Sequence, residues 1–156
     1  MTTNKARYHL KIPGETDNLE IIRLFVSSIA AKAGFNADDI SKIELAVDEA
    51  CANVIKHAYA KETKGPIDIA IELDYQKLVI MITDHGRGFD VSQILQKDVK
   101  EYLAELHVGG LGIYLMKALM DEVEFDSQPG VKTQVRMVKY FLKNGKLQKN
   151  RANERH

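Results

Sequence analysis

The stretch from Ile67 to Thr83 restricts the possible folds more than any other part of the chain. Ile67, Ile69, Ile71 and Leu73 alternate with Asp68, Ala70 and Glu72, which is the period of a strand with one buried face. Asp74 to Lys77 is turn-like, and Leu78 to Thr83 is a nearly continuous apolar run, as expected of a more central strand. Two neighbouring strands of this kind need a second layer to cover their apolar side.

The preceding residues can supply that layer. Leu19, Ile22, Phe25, Val26, Ile29 and Ala33 fall at helical spacing, and Gly34 stands where a helix would stop. Asp38 or Asp39 is expected to cap a second helix, whose stripe is Ile40, Ile43, Val47, Ala50 and Val54. Arg7 to Ile12 alternates as a first strand, ended by Pro13-Gly14. Gly109 to Gly112 leads into a third helix with Ile113, Met116, Leu119 and Met120 inward. Val123 and Phe125 begin one further strand, Pro129-Gly130 turns it, and Val131, Thr133, Val135 and Met137 form the last. The expected class is α+β: a two-layer sandwich with a mixed, mostly antiparallel sheet and helices on one face. Residues 1–142 read as a single domain, and Val91 to Val108 within it as a charged excursion with some helix. Residues 143–156, with five Lys/Arg against one Glu, read as a disordered basic tail.

Composition removes several functions. Lys+Arg and Asp+Glu are both 22, so there is no basic excess for coating nucleic acid, and no direct nucleic-acid role is expected. The single cysteine, Cys51, excludes an internal disulfide and a four-cysteine zinc site, and a reducing cytoplasm follows as the expectation. No stretch approaches the roughly 20 apolar residues that span a bilayer, and Met1 to Lys5 opens no signal-peptide run. Cys51, on the core side of its helix, reads as a small buried hydrophobe.

Three places can carry chemistry. Glu49 and Asn53 lie about 40° apart on one flank of the second helix, one turn apart. The carboxylate can accept a proton and the amide oxygen can hold a hard cation, although the pair equally suits a solvated helix edge. Asp84-His85-Gly86-Arg87-Gly88 follows an apolar strand directly. An ionised Asp there accepts hydrogen bonds only, as from an exocyclic amine, and a plain turn has the same composition. Gly109-Gly110-Leu111-Gly112 opens a helix, which suits phosphate or a hinge. Its spacing fits neither a Rossmann nor a P-loop fingerprint.

Taken in order, these segments resemble the boxes of the GHKL ATPases. Glu49-Ala-Cys-Ala-Asn53 with Lys56-His57-Ala58-Tyr59 looks like the N box, Asp84 to Asp90 like the first glycine box, and Gly109 to Met116 like the second. Gly130 and Thr133 look like the short third element. The Gly-Phe-Asp extension of the first glycine loop and Leu119-Met120-Asp121-Glu122-Val123 are similar to the bacterial anti-sigma-factor serine kinases of the RsbW/SpoIIAB type.

This resemblance implies a Bergerat-type ATP-binding fold with an ATP lid at about residues 89–108. It implies ATP or ADP with Mg²⁺ as cofactors, Asn53 as the Mg²⁺ ligand and Glu49 as the catalytic base. Asp84 would meet the adenine amine, with Gly86 and Gly88 shaping the pocket. Gly109, Gly110 and Gly112 would bind the phosphates, Thr133 would support the adenine end, and Arg23 would face a partner. The implied function is an ATP-dependent protein-serine/threonine kinase and anti-sigma factor. It would phosphorylate a STAS-domain anti-anti-sigma protein, sequester a sigma factor and form a homodimer. His107-Val108 stands where relatives often carry an Arg. This keeps open a nucleotide-binding module that sequesters a partner without phosphoryl transfer.

Overall fold

The computed structural model describes residues 5–55, 65–84, 114–128 and 132–141. In chain order these form β1 (Ala6–Pro13), a single 3-10 turn (Thr16–Asn18), α1 (Leu19–Ala33), α2 (Ala37–Asn53), β2 (Pro66–Leu73), β3 (Lys77–Asp84), a helical segment over 114–119, β4 (Glu122–Gln128) and β5 (Lys132–Tyr140). The expected two-layer α+β architecture is the one observed. Among the described residues no helix is long and apolar enough to cross a membrane.

The five strands form one sheet in the order β1-β2-β3-β5-β4, and all four pairings are antiparallel. The last strand thus inserts beside β3 and leaves β4 at the edge. Asp74 makes the β2–β3 turn by accepting from the backbone N–H groups of Gln76 and Lys77 at 2.7 and 2.9 Å. Alternation gives the sheet one apolar face. Ile69, Ile82 and Val135 align across it, as do Ile71, Ile80 and Met137, and all six are buried. Ile22, Val26, Ile29 and Ala30 of α1 and Ile43, Ala46, Val47 and Ala50 of α2 join them in one core, with Met116 and Met120. The opposite sheet face carries polar contacts such as His9 Nε2 to Asp68 at 2.9 Å.

Two helix ends differ in how well they match the sequence reading. Gly34 ends α1 in the left-handed region at φ 102°, where a Cβ is disfavoured. At the start of α2 the expectation is corrected. The cap is Asn36, whose side-chain oxygen accepts from the Asp39 N–H at 2.8 Å. Asn36 has the extended backbone that this geometry needs, which leaves Asp38 and Asp39 inside the first turn.

A Cβ at Gly34 would meet nothing within 4 Å, so Gly34→Ala isolates the backbone term. It is expected to lower stability by about 1 kcal/mol, read as a shifted urea midpoint at unchanged slope.

Candidate functional site

Asp84 and Thr133 stand opposite each other in the β3–β5 register. Asp84 continues the inward row Leu78, Ile80, Ile82, and Thr133 begins the inward row Val135, Met137. Both therefore face the helical layer at one end of the sheet. Asp84 is only 1% exposed. A carboxylate that deep is costly to hold unless surrounding groups donate to it.

Glu49 and Asn53 both belong to α2 and are half-buried. The opposite flank of α2 is occupied. Asp48 accepts from Arg23 Nε of α1 at 3.0 and 3.2 Å, and the second guanidinium nitrogen lies at 3.0 Å. This puts α1 on the Asp48 side and leaves Glu49 and Asn53 on the flank away from it.

The direction of α2 follows from its start. Phe35, just before it, stacks on Phe141, just after β5, with centroids 4.1 Å apart. Asp39 Oδ1 lies 3.9 Å from Nζ of Lys139 near the end of β5. From this shared end, α2 rises about 21 Å to Asn53 while β5 runs back about 20 Å to Thr133.

The 114–119 helix is fastened at the same end of β5 as the start of α2, away from Thr133. Lys139 Nζ donates to the Leu119 carbonyl at 2.8 Å, Asp121 N–H donates to the Val138 carbonyl at 2.9 Å, and the Tyr140 N–H donates to Asp121 Oδ2 at 2.7 Å. The Tyr140 hydroxyl donates to Glu122, and that bond, with burial second, pushes its pKa up to about 12.

The structure brings Asp84 and Thr133 together and sets Glu49 and Asn53 on the flank of α2 away from α1. Arg23 is tied to Asp48, with its side chain still 41% exposed. Gly86, Gly88, Gly109, Gly110 and Gly112, the 89–108 lid and the 143–156 tail lie outside the described residues. Sequence reasoning passed over Lys139 and read Asp39 only as a helix cap, yet both are buried. Their signal was phase. Asp39 is in step with Ala46 and Ala50 on the α2 stripe, and Lys139 continues Val135 and Met137, so opposite charges occupy two core positions.

Known proteins align with this architecture. The histidine kinase-like ATPase domain family matches residues 12–139. The serine-protein kinase RsbW of Bacillus velezensis is 39% identical over 146 residues, covering 90% of this chain and 89% of the relative. RsbW of Bacillus subtilis is 36% identical over the same shares. Among solved structures, the RsbU and RsbW domains of a Mycobacterium tuberculosis protein share the fold at TM-score 0.63 and 18% identity, covering 86% of this chain and 32% of that one. A chain of the Pseudomonas aeruginosa SiaB–SiaC complex does so at TM-score 0.63 and 14% identity, covering 84% and 88%.

Two titrations test this geometry. Cys51 is fully buried, and burial, with the nearby Asp48 charge second, raises its thiol pKa. A thiol reagent should label it only as fast as the fold opens, and rapid labelling of the native chain would contradict its burial. Tyr140 keeps its proton above the ordinary value of 10.0 and up to about 12. Its contribution to stability is then whole below the first value and lost as pH rises through the second. Tyr140→Phe should remove the last phenol to ionise in an ultraviolet titration and flatten the fall in stability over that range.

Proposed function

The chain belongs to the histidine kinase-like ATPase family, as a protein-serine/threonine kinase related to RsbW, and from that membership we propose its reaction and partners. It transfers the γ-phosphoryl group of ATP to a serine or threonine of a STAS-type anti-anti-sigma protein. It holds a sigma factor inactive until the unphosphorylated antagonist competes for it. The activity belongs in the cytoplasm, with the transcription machinery.

The observation that carries the reading is the buried carboxylate of Asp84 beside Thr133, and Glu49 and Asn53 on the flank of α2 away from α1 are read as facing the same nucleotide. An acceptor that deep, on an apolar sheet, suits the exocyclic amine of a flat purine. Thr133 adds a hydroxyl at the same level. Among the described residues no three His, Cys, Asp or Glu gather around a possible ion. A Mg²⁺ held through the Asn53 amide oxygen would thus complete its shell with phosphates and water, as that ion commonly does. Bound Mg²⁺ would supply charge neutralisation for phosphoryl transfer.

Glu49 stands one turn before Asn53 and acts as general base. It takes the proton of the acceptor hydroxyl as that oxygen bonds to phosphorus, and ADP departs with the electrons of the broken P–O bond. Gly86 and Gly88 shape the nucleotide pocket, and Gly109, Gly110 and Gly112 let the backbone approach the phosphates. Arg23, half-buried on α1 between Asp48 and solvent, contacts the protein partner. A second copy of the chain packs against the sheet to form a homodimer.

Mass measurement of a STAS protein incubated with the chain, ATP and Mg²⁺ should show one added phosphate. Glu49→Gln should cut transfer by about 100-fold or more while ATP still binds. Asp84→Asn should weaken ATP and ADP alike. ATP binding with no phosphate transferred would leave a nucleotide-binding module that sequesters its partner.

A further inference from the structure

We propose that Lys139 is a positioning residue for the nucleotide, setting the 114–119 helix against α2 through one buried ammonium. The proposal rests on the nucleotide-binding reading above. Lys139 lies on β5, and its side chain is 9% exposed. Its Nζ donates to the Leu119 carbonyl at 2.8 Å and lies 3.9 Å from Asp39 Oδ1, whose side chain is 7% exposed. One charged group therefore meets three elements. These are β5, which carries Thr133, α2, which carries Glu49 and Asn53, and the helix that follows the Gly109–Gly112 motif along the chain.

Stability alone does not call for a lysine here. A Met or Leu at 139 would extend the apolar row of Val135 and Met137 without removing a charge from water. The Leu119 end of the helix is also held without it, by Asp121 N–H on the Val138 carbonyl and by Asp121 Oδ2 on the Tyr140 N–H. Those contacts join the helix end to β5. The Lys139 contact also reaches α2. An ammonium offers three donors of short reach, so it fixes the distance between the helix end and the first turn of α2. An apolar side chain at the same place would let the two slide. Buried ionic groups are best known for setting this kind of register.

The test compares the wild-type chain with Lys139→Met, Asp39→Asn and the double variant. Thermal unfolding and titration with ATP and Mg²⁺ are read together. Lys139→Met should lower the melting temperature, because Asp39 keeps a buried charge. It should also weaken ATP binding about tenfold, the scale of one charge-assisted hydrogen bond. The double variant removes that buried charge and should recover the melting temperature but not the ATP affinity. In the kinase assay, KM for ATP should rise about tenfold while kcat at saturating ATP changes less than about threefold. ATP affinity that recovers together with stability, or that never changes, would overturn the proposal. If the Lys139 variants do not fold, Asp39→Asn decides. It keeps the bond to Leu119 and loosens the tie to α2, so ATP should bind several-fold more weakly, and unchanged affinity counts against the idea. A wild-type chain that binds neither ATP nor ADP would instead remove the nucleotide reading itself.

Discussion

The pairing of β3 with β5 is the constraint on which the rest of the molecule depends. Its register runs from Leu78 opposite Lys139 to Asp84 opposite Thr133. At one end it sets a buried carboxylate beside a hydroxyl. At the other it brings a lysine under the first turn of α2. Between them Ile80 meets Met137 and Ile82 meets Val135. A slip of β5 by one residue would turn Thr133, Val135, Met137 and Lys139 to the opposite face. It would expose the apolar Val135 and Met137 and turn Gln134 and Arg136 inward in their place. The register is thus held by the same core that the helices cover.

The helical layer shows how one helix can serve two tasks. The central stripe of α2 is core, and its two flanks diverge in use. One flank is consumed by the Arg23–Asp48 pair, which joins α1 to α2. The other bears Glu49 and Asn53, half-buried. A carboxylate and an amide at the rim of a core stay ordered because the helix beneath them cannot move without disturbing Ile43, Ala46, Val47 and Ala50. Phosphoryl transfer asks for groups held in place, since most of its catalysis is positioning, and a helix packed into the core provides such a mount.

Polar groups are placed unevenly between the two ends of the sheet. At the Lys139 end, charges and backbone groups are paired: Lys139 with Leu119 and Asp39, Asp121 with Tyr140, and Tyr140 with Glu122. This end fastens the strand, the 114–119 helix and α2. The Asp84 end sets a buried carboxylate opposite a threonine on the inward face.

Much of this was legible along the chain. Strand and helix periods, the Asp74 turn and the Gly34 stop depend on neighbours within a few residues, so local chemistry determined them. The order of Glu49, Asn53, Asp84 and the glycine motifs identified the family for the same reason: each motif is a short local pattern. Asn36 was missed as a cap because Asp38 and Asp39 offered the same chemistry two and three residues later. Only the tertiary structure decided that β5 enters beside β3, that Asp84 therefore faces Thr133, and that Arg23 meets Asp48. It alone made Asp39 and Lys139 a pair across about 100 residues. Strand order and long-range pairing come from burying all the apolar stripes at once, and no window of sequence contains that condition.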